Sequence, residues 1–195
     1  MGFRILVFAV LCIAGAAGGG MAGEEPMMIV DFAAEAEGWP SIDDAVMGGV
    51  SSSAMVVEDG AASFRGVVSF DNNGGFASVR SRQQVRDLSA YDGLVLRVRG
   101  DGKSYAFRIR TSASFDGVSY QVPLTPPAGE WSDVVVQFAD FVPVWRGRRV
   151  DGHPALDPAR ITTLGLIISR QEGRFQLEIA NIRGYRNTEP SGGSE

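Results

Sequence analysis

The two side chains that carry most nucleophilic and metal-binding chemistry are almost missing from this chain. Its only cysteine, Cys12, sits inside an apolar N-terminal run, and its only histidine is His153, within Asp151-Gly152-His153-Pro154. The body of the chain therefore has no thiol nucleophile, no internal disulfide, no thiolate set for zinc or iron–sulfur, and no multi-histidine metal site. A Ser-His-Asp triad would need His153 as its base, on a Pro-flanked loop and in no recognisable motif. An enzyme would be left with Asp and Glu alone, and no pair of them is arranged as acid and base. The reading is of a non-catalytic chain with no cofactor and no metal.

Charge excludes a further class. The net charge of −5 is mild and of the wrong sign for neutralising phosphates, so no nucleic-acid partner is expected. At 195 residues, 45% apolar and 21% charged, the chain fits a single globular domain. Its 25 glycines fall between apolar runs, as many short strands joined by tight turns require.

At the N-terminus, Met1-Gly2-Phe3-Arg4 precedes an uncharged run from Ile5 to Gly23. One basic residue, an apolar stretch and then small residues is the layout of a secretory signal peptide, with Ala14-Gly15-Ala16 and Gly20-Met21-Ala22 as cleavage sites. Residues 1–25 are thus a signal peptide or an N-terminal anchor, and the expected location is periplasmic or exported. A true start at Met21 would make the protein cytoplasmic. The polar tail, 187–195, reads as disordered.

Between these ends the dominant period is two, not 3.6. Leu94, Leu96 and Val98 alternate with Val95, Arg97 and Arg99, and Tyr105, Phe107 and Ile109 alternate with Ala106, Arg108 and Arg110. Both segments read as half-buried antiparallel strands, apolar inward and arginine outward. Placing both apolar sets on one face pairs Val98 with Tyr105, Leu96 with Phe107 and Leu94 with Ile109, around a hairpin loop Gly100-Asp101-Gly102-Lys103. Further strands are expected at Met28–Phe32, Ala54–Glu58, Ala62–Phe70, Phe76–Ser81, Ser119–Val122, Trp131–Phe138, Thr163–Ser169 and Arg174–Ile182. Leu164-Gly165-Leu166-Ile167-Ile168 is apolar on both faces and so central. Gln83–Leu88 fits a helical turn, and no long amphipathic helix is visible. About ten short strands with turn-rich spacing point to a two-sheet sandwich.

Three loops are rich in Gly with small polar or acidic residues: Asp43-Asp44-Ala45-Val46-Met47-Gly48-Gly49-Val50-Ser51, Asn72-Asn73-Gly74-Gly75-Phe76, and Arg99-Gly100-Asp101-Gly102-Lys103-Ser104-Tyr105. With Trp39 upstream and Trp131, Phe141 and Arg146-Gly147-Arg148 downstream, they resemble the complex I intermediate-associated protein 30 family, in order from about Val30 to Ile182. The resemblance implies an all-β, galactose-binding-like jelly-roll β-sandwich over residues 26–186. Asp87-Leu88-Ser89-Ala90-Tyr91-Asp92-Gly93-Leu94 also looks like a phrase of carbohydrate-binding modules of that fold. Mitochondrial relatives in the family act as assembly factors for respiratory complex I, so the resemblance implies a protein partner, such as a membrane or envelope complex. A leader that directs export stands against direct transfer of that role. The alternative is a carbohydrate-binding module with a glycan partner.

Several residues stand out within this frame. Adjacent Asp43 and Asp44 point to opposite sides in an extended chain. One would cap a turn while the other faces water, or a carboxylate would join Asp71, Asn72 or Asn73 around a hard cation, although no spaced Asp-x-Asp loop is present. Asn72-Asn73-Gly74-Gly75-Phe76 reads as a tight turn with Phe76 tucked into the core. In the hairpin register Arg97 lies diagonal to Arg108, with Arg99 and Arg110 along the same face; Arg80 and Arg82 share the spacing on another strand. The planar fork of arginine suits carboxylates and sugar hydroxyls. Trp145-Arg146-Gly147-Arg148-Arg149 reads as a loop bearing interface-type side chains. Trp145, Arg146, Arg148, Arg97 and Arg108 form the expected partner-binding set.

Overall fold

The structure, a computed structural model, describes residues 27–34 and 38–187. The leader, and the tail beyond 187, lie outside the described residues. Twelve strands follow in order: β1 (Met28–Asp31), β2 (Ser52–Glu58), β3 (Ala61–Val68), β4 (Phe76–Arg80), β5 (Gly93–Arg99), β6 (Tyr105–Arg110), β7 (Ser119–Leu124), β8 (Ser132–Gln137), β9 (Val142–Trp145), β10 (Arg148–Arg149), β11 (Thr163–Ser169) and β12 (Gly173–Tyr185). They form two antiparallel sheets. Sheet A has the order β2-β3-β12-β5-β8, with β1 also paired to β12, and sheet B the order β10-β9-β7-β6-β11-β4. The helical elements among the described residues are 3₁₀ turns of three or four residues, as the absence of a 3.6 period requires. Among these residues no helix is long and apolar enough to cross a membrane.

The alternating strands supply the core. Leu94, Leu96 and Val98 from sheet A meet Phe107, Ile109, Leu164 and Leu166 from sheet B, all essentially inaccessible to water. Phe64, Phe175 and Tyr105 close one part of it edge to face, the first two with ring centroids 4.8 Å apart. Each such side chain contributes on the order of 2 kcal/mol on burial. As expected, β11 is central and apolar on both faces, flanked by β6 and β4.

The expected β5–β6 hairpin does not form. β5 pairs with β12 and β8 in sheet A, while β6 pairs with β7 and β11 in sheet B. Alternation fixes which side chains face inward, and strands facing each other across a sandwich share that phase with strands paired in a hairpin. The segment Gly100–Ser104 carries the chain between the sheets instead of turning it back. Two smaller expectations also differ. Gln83–Leu88 is extended rather than helical, with the Arg86 amide donating to the Ile161 carbonyl at 2.7 Å. The stretch around Trp145 is a β9–β10 hairpin rather than a loop, its turn made by Arg146 and Gly147 at φ 47° and 75°.

Candidate functional site

The three Gly-rich loops meet at the junction between the sheets. β2 and β4 are the terminal strands of sheets A and B, and the segment around Asp43 and Asp44 straps one to the other. Asp43, in extended backbone, accepts from the Ser53 amide (2.8 Å) and hydroxyl (2.7 Å) on β2, and from the Ser78 amide (3.0 Å) on β4. Asp44 opens a 3₁₀ turn, Asp44–Met47, and is wholly buried. One carboxylate oxygen accepts from the Ser51 amide (2.9 Å). The other accepts from the Ser51 hydroxyl (2.5 Å), the Gly75 amide (2.6 Å) and the Phe76 amide (3.1 Å). Neither aspartate is left to water, which corrects that half of the sequence expectation. The cation alternative also meets an obstacle, since the Asp44 oxygens are already occupied by N–H and O–H donors.

Desolvation pulls the Asp44 carboxyl upward, but the hydrogen bonds from the Ser51 hydroxyl and the Gly75, Phe76 and Ser51 amides outweigh it and hold it below the usual carboxylate value. The same carboxylate dictates its neighbours. A Cβ on Gly49 would lie 2.4 Å from an Asp44 oxygen, so only glycine lets the turn close over it. A Cβ on Gly74 would lie 2.7 Å from the other. Asn72 and Asn73 take left-handed backbone at φ 54° and 59°, a conformation asparagine tolerates. Phe76 is half-buried and outside the core cluster, because its alternation phase on β4 points it outward.

The third loop makes the same kind of stitch. Asp101 accepts from the Lys103 amide (3.0 Å), from the buried Tyr105 hydroxyl on β6 (2.9 Å) and from the Gln176 amide on β12 (2.9 Å), tying sheet B to sheet A. Burial first, and then the Asp101 carboxylate, push the Tyr105 hydroxyl far above the usual phenol value. Gly100 is held by backbone hydrogen bonds with Pro127 and Gly129, and Gly102 takes φ 86°. The loops share one end of the sandwich: Lys103 and Ser104 bond to Glu172 and Gln171, and the Arg170 amide donates to Gly75.

What this scaffold presents is apolar. Val46 and Met47, on the turn begun by Asp44, are each 63% exposed; Val50 is 52% exposed and Phe70, whose ring lies against Gly75, is 48% exposed. In the sequence, Val46, Met47 and Val50 fall in one Gly-rich loop and Phe70 at a strand end, and none of the four is given a binding role there. The signal that could have found them is two large apolar residues at the tip of a loop whose backbone is otherwise glycine and acid.

The expected partner-binding set is divided. Arg97 is on the outer face of sheet A, half-covered and ion-paired to Asp133 at 3.5 Å. Arg108 is on the outer face of sheet B, so the two do not lie diagonally on one surface. Trp145 and Arg146 pack together, the guanidinium 4.9 Å from the ring centroid. Both bind the β6–β7 loop, Trp145 Nε1 to the Asp116 carbonyl (2.9 Å) and Arg146 to its carboxylate (2.6 Å). Arg148 is exposed on β10. His153 packs edge-on against the Tyr120 ring, and its Nδ1 lies 3.3 Å from the Tyr120 hydroxyl and 3.2 Å from the Pro154 carbonyl.

Comparison with known proteins fits this architecture. The family profile for complex I intermediate-associated protein 30 matches residues 30–179. A protein of Schizosaccharomyces pombe is 30% identical over 172 residues, covering 77% of this chain and 78% of its own. The mitochondrial complex I intermediate-associated protein 30 of Drosophila melanogaster is 28% identical over 181 residues, 80% of this chain but only 61% of the fly protein. Among solved structures, a family 11 carbohydrate-binding module from Clostridium thermocellum, in complex with a β-1,3-1,4-mixed-linked tetrasaccharide, gives a TM-score of 0.63. It is 16% identical and covers 82% of this chain and 95% of the module. An agarase gives 0.56 at 13% identity, with 82% of this chain matching 26% of that enzyme. At such identities the likeness is one of fold, and it makes the two sheets a jelly-roll sandwich of the galactose-binding-like kind. The match over residues 30–179, with the acidic and glycine loops forming the joints between its sheets, places this chain in the complex I intermediate-associated protein 30 family.

Proposed function

We propose that the protein is a non-catalytic binding module that docks onto a protein partner during assembly of a membrane or envelope complex, using the apolar tip around Val46 and Met47. One observation carries this reading: large apolar side chains stand in water on a turn whose first residue, Asp44, is buried and tied to Ser51, Gly75 and Phe76. A turn anchored in this way has less backbone freedom to lose when a partner buries the tip, which favours binding. The name of the fly relative, a complex I intermediate-associated protein, supports the same class of partner. The compartment follows from the N-terminus: a cleaved leader gives an exported module and a start at Met21 a cytoplasmic one, whereas the fly relative is named as mitochondrial.

The test is site-specific photo-crosslinking in native membranes with a benzophenone residue at position 47 and a control at Glu58. A discrete product at 47 that contains a subunit of a membrane complex, absent at 58 and lost in Val46→Asp, supports the proposal. Identical products at both positions, or none at 47, refute it. Retention on an insoluble glycan that survives Val46→Asp, with no crosslink at 47, would favour the carbohydrate reading.

A further inference from the structure

The outer faces of the two sheets treat arginine differently. On sheet A, Arg97 and Arg183 share Asp133, and Arg99 is bound to Glu178 at 2.5 Å. On sheet B, Arg80, Arg108 and Arg110 gather with no carboxylate paired to any of them among the described residues. β4, β11 and β6 are adjacent, and Arg80 and Arg108 both register with Gly165, one on each side, while Arg110 registers with Thr163. Gly165 has no side chain to come between the two guanidinium groups.

A cleft of about 210 Å³ opens beside Arg80 and Arg110, lined also by Gln83, Ser112, Ser114 and Phe115, while Arg108 lies outside its lining, across Gly165 from Arg80. Arg110 is only 7% exposed; one terminal nitrogen donates to the Gly117 carbonyl at 2.6 Å, but its Nε is buried without any hydrogen-bond partner. Arg80 makes one long contact to the Phe115 carbonyl (3.5 Å) and lies over the Phe115 ring. With the Gln121 amide turned so that its oxygen faces Arg108, the guanidinium donates to that oxygen at 2.9 and 3.1 Å. Asp116, an acid whose charge acts on Arg110, is itself ion-paired to Arg146 at 2.6 Å. Desolvation, and then Arg110 and Arg80, lower Arg108 to about 9; desolvation and then Arg80 lower Arg110 to about 10. Three crowded cations, one with a buried unpaired donor, in a chain of net charge −5, lack a counter-charge that the fold itself does not supply.

We infer that Arg80, Arg108 and Arg110 form an oxyanion-binding site on the outer face of sheet B, taking a carboxylate or phosphate group. Guanidinium forks on either side of Gly165 grip planar or tetrahedral oxyanions bidentately, and the positive charge of Arg110 in the cleft lining adds to the attraction. The site is independent of the apolar tip, so either can fail without the other.

The experiment titrates the full chain with inorganic phosphate and with a capped tetraglutamate peptide, by calorimetry and thermal shift, at ionic strength matched with sodium chloride. Arg110 is left in place because it holds the Gly117 loop. Saturable binding by wild type, weakened at least tenfold in Arg80→Gln/Arg108→Gln and only partly kept in the double lysine variant, supports the site. Phosphate alone would identify a small free oxyanion, and the peptide as well a carboxylate carried on a chain; either upholds it. No saturable binding of either anion beyond the chloride control, or equal affinity in the glutamine variant, overturns it. The glutamine variant relieves like-charge repulsion, so a melting temperature at or above that of wild type assures that it is folded.

Discussion

Removing the Asp44 carboxylate should cost more than any other single polar change in the loops. Asp44→Ala leaves the amides of Ser51, Gly75 and Phe76 without acceptors in a site closed to water. At about 1–3 kcal/mol for each unsatisfied buried donor, and with some relief from water entering the cavity, the loss is about 4 kcal/mol. That is a large part of a typical domain's total. Asp44→Asn should be milder, at about 2 kcal/mol, because its one carbonyl oxygen can take the position that receives the Ser51 hydroxyl and the Gly75 and Phe76 amides. Its NH₂ then opposes the Ser51 amide. The sign with pH is defined: the folded carboxyl lies below its usual value, so its stabilisation is complete above about pH 4 and lost as pH falls through the folded value. Gly49→Ala supplies a coupling test, since the three nearest atoms its Cβ would meet belong to Asp44, and the two closest are in the carboxylate that Asp44→Ala removes. It should cost about 2 kcal/mol in wild type and less in Asp44→Ala, where the Asp44 Cβ still stands close but the carboxylate is gone. Urea midpoints at pH 7 with unchanged slopes measure all of these. A loss below about 1 kcal/mol for Asp44→Ala, or additive costs in the double variant, would refute the stitch as described.

Two further outcomes follow from buried polar groups. Tyr105→Phe should cost about 1 kcal/mol in urea, since Asp101 keeps the Lys103 and Gln176 amides and only one bond to it is lost; a change above about 3 kcal/mol would mean that the hydroxyl organises the whole loop. Arg108→Gln should stabilise the free protein at pH 7 by about 1 kcal/mol, because a base held near 9 in the folded state and near 12.5 when unfolded disfavours folding at every pH below 9. The advantage should fade as pH rises above 9 and shrink on adding phosphate at pH 7; a destabilised variant would show that Arg108 packs rather than repels.

Class, strand positions and the centrality of β11 were legible because each rests on alternation, a local property of the chain. What failed was pairing. Leu94, Leu96 and Val98 carry the same inward phase whether β5 pairs with β6 or faces it across the core, and a short glycine loop serves either path. The aspartate in that loop is the discriminating residue: Asp101 reaches Tyr105 on one sheet and Gln176 on the other, a span that a simple hairpin would not need. The arginine cluster was hidden for a related reason. Phase alone put Arg80, Arg108 and Arg110 outward, but only the order β4-β11-β6, between strands far apart in sequence, brings them around Gly165. The Gly-rich loops were the reverse case, visible as motifs but with their division of labour concealed. Asp43 and Asp101 each accept from both sheets, and Asp44 accepts from Phe76 on β4 and from Ser51 just before β2, so these acids hold the sandwich shut, and the glycines beside Asp44 are small because its carboxylate occupies the space a Cβ would take. A loop fixed so firmly from within is free to turn apolar side chains to the solvent, and Val46 and Met47 are the residues it turns.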